Sequence, residues 1–180
     1  MTVRAVPPRV DLKKFIRDIP DFPKRGIVFK DITPLLGNGP AFAHSIDLLA
    51  KVGAKHKVDK VIAIESRGFI FGSAVAQRLG VGVVPVRKKG KLPFKTISAT
   101  YALEYGEDTL EMHVDGILPG ERVLLVDDVL ATGGTADAVV RLIAQAGGLP
   151  VAAAFAIELK FLKGRQRLKN FEVASLILYN

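Results

Sequence analysis

The sequence predicts a single α/β domain in which helices flank a mostly parallel central sheet. Short, continuous apolar runs alternate with segments whose apolar residues recur at helical spacing, as expected for a parallel sheet that is covered on both faces. The chain has 180 residues, which is enough for one domain with a sizeable core. Its 49% hydrophobic and 24% charged residues are an ordinary globular composition. We therefore expect one domain over 1–180.

The elements of this domain can be assigned in chain order. A short amphipathic helix is predicted at about 11–19 and a longer helix at about 40–56. After them we predict a strand at 61–64, a helix that ends at Gly80, strands at 81–86 and 123–126, a helix that ends at Gly147, and strands at 151–157 and 173–178. The Pro- and Gly-rich residues 1–39 predict an irregular hood. The long crossover 87–120 has no clear helix and predicts a hairpin or lid, with the lid at about 96–113.

Charge and composition narrow the classes of function. The formal net charge of +8 favours anionic partners, which are nucleic acid, an acidic membrane surface or phosphorylated metabolites, although a solvated basic surface explains the charge alone. The chain has no cysteine, which excludes disulfides, thiolate zinc sites and cysteine nucleophiles. No apolar run has the length of a membrane span, and the first residues lack a signal-peptide core. We therefore expect a cytoplasmic protein that does not bind membranes.

The most informative segment is 123–135, where a strand is followed by two acids, a glycine-containing loop and a helix. Gly133 and Gly134 let backbone N–H groups approach a ligand closely. The helix N-terminus adds free N–H groups and the positive end of its dipole. Together they predict a cup for a phosphate monoester, to which Thr132 and Thr135 add hydroxyl donors.

The acid pair beside this cup points to a second part of the same ligand. Asp127 and Asp128 would repel the phosphate, so they suit hydroxyl groups or a hydrated cation. A phosphate cup beside carboxylates that bind hydroxyls describes a ribose 5-phosphate site. A capped helix after a strand, with Asp128 merely exposed, explains the strand–Asp–loop–helix pattern equally well, but the whole run is more specific. The chain has neither the P-loop nor the dinucleotide-binding glycine pattern.

The 123–135 segment resembles the signature of the type I phosphoribosyltransferase family, which binds 5-phosphoribosyl 1-pyrophosphate. Four more segments resemble the adenine-specific members of that family: Asp21-Phe22-Pro23 with Gly26 to Ile32, Glu65-Ser66-Arg67-Gly68-Phe69, Arg87 to Pro93, and Tyr101 to Gly106. The resemblance implies the family fold with a small N-terminal hood and a flexible lid loop. It also implies transfer of the phosphoribosyl group from phosphoribosyl pyrophosphate to adenine, giving AMP and pyrophosphate in purine salvage. It further implies a homodimer and Mg²⁺ held mainly through the substrate.

The resemblance also implies a role for each candidate site residue. Glu104, in the lid, is the expected catalytic residue and would manage a proton near N7 of adenine. The expected ribose and phosphate contacts are Asp127, Asp128, Ala131, Thr132, Gly133, Gly134 and Thr135. The expected pyrophosphate contacts are Ser66, Arg67, Arg87, Lys88 and Lys91. Adenine is expected to contact Val28, Phe29, Lys30 and Leu159. Plain packing remains the alternative for Val28 and Leu159. A solvated charge run remains the alternative for Arg87, Lys88 and Lys91.

A second interpretation keeps the fold but drops the reaction. In it the protein senses phosphoribosyl pyrophosphate and binds nucleic acid through its positive charge. No helix-turn-helix or basic aromatic module is evident in the sequence, and the lid with Glu104 is retained. We therefore predict an enzyme that has no nucleic-acid partner.

Overall fold

The computed structural model describes residues 10–102 and 106–180. By its internal contacts the chain forms two compact units, Met1–Ser45 and Ile46–Asn180. The second unit contains the central sheet.

The first unit contains more regular structure than the sequence predicts. Its described elements are a 3₁₀ helix (Leu12–Phe15), strands β1 (Arg17–Pro20) and β2 (Val28–Asp31), helix α1 (Thr33–Gly37) and the start of helix α2 (Gly39–Lys55). The helix predicted at about 11–19 is wrong beyond Phe15, because β1 pairs with β2 in an antiparallel ladder. An ion pair of 2.6 Å between Arg17 and Asp31 joins the two strands. Pairing with β2 satisfies the backbone hydrogen-bonding groups of this segment, which is too short to be a stable isolated helix.

The second unit has the predicted alternation of strands and helices. Its elements are β3 (Lys60–Ile64), α3 (Gly68–Leu79), β4 (Gly82–Lys88), β5 (Thr96–Ala102), β6 (Glu107–His113), β7 (Arg122–Leu130), α4 (Gly134–Gln145), β8 (Leu149–Leu159) and β9 (Glu172–Tyr179). Two short 3₁₀ helices, Lys160–Leu162 and Gly164–Arg167, lie between β8 and β9. The strands form one sheet in the order β5-β6-β4-β3-β7-β8-β9.

The sheet is mostly parallel, as predicted. Strands β4, β3, β7, β8 and β9 pair in parallel. Strands β5 and β6 pair antiparallel with each other, and β6 pairs antiparallel with β4. The crossover at 87–120 thus contains an antiparallel strand pair and no helix in its described part, in agreement with the predicted hairpin.

Helices cover both faces of the sheet. On one face, Gly53 of α2 packs beside Leu79 of α3 and Leu124 of β7. On the other face, Leu142 of α4 belongs to a buried apolar cluster with Leu125 of β7. Burial on both faces explains why the central strands are continuous apolar runs in the sequence. In the described part of the chain, no helix combines the length and the apolar character needed to cross a membrane.

Candidate active site

The loop Ala131–Gly133 joins the end of β7 to the first residue of α4. Gly133 precedes α4 with a φ of 82°, a left-handed conformation that favours glycine. A cavity of about 70 Å³ opens at this loop. Its lining includes five of the seven residues that were predicted to contact ribose and phosphate: Asp127, Ala131, Thr132, Gly133 and Thr135. The structure therefore brings one acid and the loop to a single space beside a helix N-terminus, where N–H groups favour an anion.

The remaining two residues of that set lie next to this cavity in the chain. Gly134 is the first residue of α4 and is buried, and a Cβ placed on it would lie 3.3 Å from a ring carbon of Tyr101. Asp128 is 6% exposed and faces the loop after β3. Its atom Oδ2 lies 2.7 Å from Nε of Arg67, in an ion pair without hydrogen-bond alignment.

Burial gives the acid pair unusual electrostatics. Burial raises the pKa of Asp127 well above its ordinary value, and the charge of the neighbouring Asp128 raises it further. Burial also raises the pKa of Asp128, although the guanidinium of Arg67 opposes the shift. Asp127 Oδ1 accepts a hydrogen bond of 2.8 Å from the backbone N–H of Asp128. Two carboxylates held this close in a buried position are suited to accept hydrogen bonds from hydroxyl groups.

The segment after β3 packs closely on the acid pair. The Glu65–Ser66 peptide bond is cis, and Arg67 is the residue that precedes α3. A Cβ placed on Gly68 would lie 2.6 Å from Oδ1 of Asp127. Gly68 is absent from the residues with positive φ, so its backbone conformation does not require glycine. Glycine is needed here because the helix N-terminus touches a carboxylate.

Arg87 and Lys88, the predicted basic residues that end β4, lie at the same edge of the sheet and have carboxylate partners. Nε of Arg87 lies 3.2 Å from Oε2 of Glu65, and the backbone N–H of Lys88 donates to the same oxygen at 3.0 Å. Nη1 of Arg87 also donates to the backbone carbonyl of Lys91 at 3.0 Å. Nζ of Lys88 lies 3.1 Å from Oδ2 of Asp108. These contacts, with the Arg67 ion pair, show that the segment after β3 and the ends of β4 and β7 meet at one edge of the sheet.

The Lys88–Asp108 ion pair perturbs both of its members. The hydrogen bond to Asp108 and the charge of that carboxylate raise the pKa of Lys88. Burial disfavours the charged form of Asp108, but hydrogen bonds from Lys88 and from the backbone of Thr109 outweigh burial and lower its pKa. The pair joins the end of β4 to β6, the strand in the second half of the predicted lid.

Glu65, at the same edge, has no role that was predicted from the sequence. It organises Arg87 and Lys88 through one carboxylate oxygen. An acid just beyond a buried strand, opposite basic residues of the neighbouring parallel strand, was the available signal.

The predicted adenine contacts lie in both compact units. Val28, Phe29 and Lys30 belong to β2 of the first unit, and Leu159 ends β8 in the second. The rings of Phe29 and Phe22 meet edge to face with centroids 5.2 Å apart. Nζ of Lys30 lies 2.7 Å from Oδ1 of Asp18. The adenine contacts remain a prediction. The predicted catalytic residue Glu104 lies outside the described residues.

Comparison with known proteins identifies the class to which this fold and site belong. A family model described as phosphoribosyl transferase domain matches residues 33–172. The chain therefore belongs to the phosphoribosyltransferase family, which confirms the predicted family and fold.

Individual relatives are more specific. The adenine phosphoribosyltransferase of Thermotoga petrophila is 54% identical over 170 residues, which cover 94% of this chain and 100% of the relative. A crystal structure of adenine phosphoribosyltransferase from Thermoanaerobacter pseudethanolicus has 53% identity and a TM-score of 0.90, with 93% of this chain and 98% of that chain covered. The Saccharomyces cerevisiae enzyme of the same name, solved with an imino-altritol bisphosphate and adenine, has 43% identity and a TM-score of 0.86, with 92% and 96% covered.

Proposed function

We propose that this protein is an adenine phosphoribosyltransferase. It transfers the 5-phosphoribosyl group from phosphoribosyl pyrophosphate to adenine and produces AMP and pyrophosphate, a reaction of purine salvage. The observation that carries the proposal is the cavity where Asp127 and the loop Ala131–Gly133 face one space at the N-terminus of α4. The names of the similar proteins supply the base, since they are adenine phosphoribosyltransferases.

In this proposal the 5′-phosphate binds at the loop between β7 and α4. Backbone N–H groups of the loop and the positive end of the helix dipole neutralise its charge. The hydroxyl groups of Thr132 and Thr135 add donors. Asp127 and Asp128 accept hydrogen bonds from the ribose hydroxyls, and that would give the Oδ2 atom of Asp128 a hydrogen-bond donor, which it lacks in the structure.

The pyrophosphate leaves from the edge formed by the segment after β3 and the end of β4. The bond between the anomeric carbon and the pyrophosphate oxygen breaks, a bond from that carbon to an adenine ring nitrogen forms, and Glu104 accepts the proton that adenine loses. Charge develops on the departing oxygen, so nearby cations stabilise the transition state. We assign this role to Arg67, Arg87 and Lys88, with the main chain at Ser66 and the side chain of Lys91 as further contacts.

Mg²⁺ fits this site as an ion held mainly by substrate. Within 10–102 and 106–180 no three metal-ligating side chains cluster together, so the described residues do not form a metal cage. The buried acid pair, with Oδ2 of Asp128 accepting no hydrogen bond, supplies hard oxygen atoms. Mg²⁺ keeps several waters and binds through substrate phosphates and few carboxylates. Asp127 and Asp128 would hold it through its waters, and the ion would neutralise pyrophosphate charge.

We further propose that the enzyme is a cytoplasmic homodimer without a membrane or nucleic-acid partner. These proposals are supported by the resemblance to the family. Light scattering should give twice the mass of one chain. A monomer that is fully active would contradict the dimer.

The proposed reaction is tested by supplying free bases with Mg²⁺ and phosphoribosyl pyrophosphate. We expect pyrophosphate and AMP from adenine, and no product from hypoxanthine, guanine or orotate. Turnover of one of those bases, but not of adenine, would assign the chain to a different member of the family. If no base is turned over and the protein shifts DNA in a gel in a salt-dependent way, the second interpretation is supported instead. In it the protein senses phosphoribosyl pyrophosphate and binds nucleic acid.

The role of Glu104 is tested separately from the site itself. Glu104→Gln should lower kcat by ~10²–10⁴-fold, the usual contribution of a positioned acid or base. Binding of phosphoribosyl pyrophosphate should stay close to that of the wild type. The matched control is Glu107→Gln, because Glu107 is an exposed acid only three residues away at the start of β6. Equal effects of both substitutions would remove Glu104 from the mechanism.

A further inference from the structure

The loop Ala131–Gly133, which we call the phosphate loop because the 5′-phosphate is proposed to bind there, contacts a glycine that lies far away in the sequence. Gly164 begins the second 3₁₀ helix between β8 and β9. A Cβ placed on it would lie 2.2 Å from the carbonyl oxygen of Ala131 and 2.9 Å from the backbone nitrogen of Gly133. In the reverse direction, a Cβ on Gly133 would lie 2.4 Å from the carbonyl oxygen of Gly164. The two backbones therefore touch directly, with no side chain between them.

Arg165, the next residue, fixes this helix to the sheet. Its Nε and Nη2 donate to the two carboxylate oxygens of Glu158 at 3.0 and 2.5 Å. Its Nη1 donates to the backbone carbonyl of Val173, and its Nη2 lies 3.5 Å from Oγ of Ser175. Ser175 in turn donates to Oε2 of Glu158 at 2.7 Å. One guanidinium thus ties the segment to both β8 and β9.

The partner of Arg165 is buried, which makes this ion pair unlike the exposed pairs on the surface. Glu158 is 4% exposed. The hydrogen bonds from Arg165 lower the pKa of Glu158 in spite of its burial. A fork-to-fork pair of this kind combines strength with a defined geometry. Removal of the arginine would leave a buried carboxylate without its main partner. Leu168, which is 5% exposed, is a second, apolar anchor that keeps the segment near the core.

We propose that Arg165, held by Glu158, is a positioning residue for recognition of the 5′-phosphate. It acts through Gly164, whose backbone supports the Ala131–Gly133 loop from behind. The inference rests on the proposed function, because it assumes that this loop binds the phosphate of the nucleotide. Support from behind affects the phosphate part of the ligand and leaves recognition of the base unchanged. The expected signature is a loss of affinity for AMP that adenosine does not share.

The test measures binding of AMP and of adenosine by calorimetry for the wild type and for Arg165→Gln. A displacement of the loop by a fraction of an ångström should weaken the binding of AMP by about tenfold. The affinity for adenosine should stay unchanged. Arg165→Lys keeps the charge but loses the planar pair of guanidinium donors. Its affinity for AMP should lie between those of the wild type and Arg165→Gln. The matched control is Arg78→Gln, which removes an arginine that pairs with Asp47 at 2.7 Å on the surface. It should change neither affinity.

Two results would overturn the positioning role. One is an Arg165→Gln protein whose affinity for AMP equals that of the wild type, and the other is an equal loss of AMP and adenosine binding. If Arg165→Gln does not fold, the ratio of the AMP affinity to the adenosine affinity is measured in Ser175→Ala and Arg165→Lys instead. A ratio equal to that of the wild type in both variants would overturn the role. A wild-type protein that binds AMP no more tightly than adenosine would instead refute the phosphate site, and with it the proposed function.

Discussion

Gly133 is the position where the geometry of the phosphate loop allows the sharpest test. Its φ of 82° is left-handed, and that of Gly80, which ends α3, is 72°. A side chain in this conformation costs roughly 1–2 kcal/mol. A Cβ on Gly80 meets no atom within 4 Å, whereas a Cβ on Gly133 lies 2.4 Å from the carbonyl oxygen of Gly164. Gly80→Ala therefore measures the conformational penalty alone, and Gly133→Ala adds a collision.

The size of the collision follows from the contact distances. Ordinary van der Waals contact begins at 3.4 Å, so the Cβ added in Gly133→Ala and the Gly164 oxygen must separate by 3.4 − 2.4 = 1.0 Å. The oxygen belongs to the backbone, and Arg165 next to it is held by Glu158. The phosphate loop must therefore move. A misplacement of 1 Å can reduce a catalysed rate by ~10²-fold.

The assay compares both variants in urea unfolding and in AMP formation. Gly80→Ala should lose roughly 1–2 kcal/mol of unfolding free energy and keep the kcat/KM of the wild type. Gly133→Ala should lose at least as much stability, and its kcat/KM for phosphoribosyl pyrophosphate should fall by ~10²-fold. A Gly133→Ala protein that matches Gly80→Ala in both measurements would refute the inference that the loop is backed by a rigid neighbour.

Three further predictions concern the carboxylates. Gly68→Ala should displace the Asp127 carboxylate, because the added Cβ would lie 2.6 Å from it, and steady-state kinetics should show a raised KM for phosphoribosyl pyrophosphate; a change in the KM for adenine alone would contradict this. Asp128→Asn should lower activity yet raise the melting temperature at pH 7, because burial raises the pKa of Asp128 and thus disfavours its charge; the gain in melting temperature should shrink as pH falls to about 4, where the carboxyl of the unfolded chain is also protonated. The pKa of Asp31 is lowered to about 2, first by a hydrogen bond from a backbone N–H and then by one from an arginine, so the stability that Asp31 contributes is present above its ordinary pKa of 3.8 and is lost as pH falls toward 2. Asp31→Asn should lack that loss in acid unfolding. Identical acid-unfolding curves for the wild type and Asp31→Asn would show that Asp31 makes no such contribution.

The central strands of the sheet could be predicted from the sequence because strands that are buried on both faces consist of continuous apolar residues. A strand was predicted at 151–157, and β8 spans Leu149–Leu159, with a run of buried residues inside it. The end of α3 was also predictable, since Gly80 takes the left-handed conformation that glycine favours after a helix. These signals are local, so a single sequence is enough to show them.

The first unit shows where local signals fail. Apolar residues at about 11–19 have a helical spacing, yet β1 forms within that range. Its partner β2 lies beyond a turn that contains Asp21, a residue with a φ of 57°. Strand pairing across such a turn is not encoded in the period of the residues that pair. Tertiary contacts outweighed the weak preference of a short helix.

In the site, the same distinction separates the residues that were predicted from those that were missed. The loop Ala131–Gly133 is one contiguous run of sequence, so its position between a strand and a helix could be predicted from the sequence. Gly164 lies about thirty residues from Gly133 and carries no local pattern, because its requirement is the closeness of another backbone. Glu65 acts across the sheet on residues of the neighbouring strand. Such roles depend on strand order, which composition and spacing do not specify.

Basic side chains alone do not make this edge of the sheet a pyrophosphate site, because Arg67, Arg87 and Lys88 are each paired with an acid. Arg67 faces Asp128, and Arg87 faces Glu65. Lys88 likewise faces an acid of β6. Each cation is thus oriented in advance by a carboxylate, which lowers the ordering cost of binding but also cancels much of the charge that a pyrophosphate would meet. Ribose hydroxyls and a hydrated Mg²⁺ would satisfy Asp128 and leave its partner Arg67 to the phosphates. The proposed site therefore favours the whole substrate with its metal over free pyrophosphate, because only the whole substrate satisfies both signs of charge.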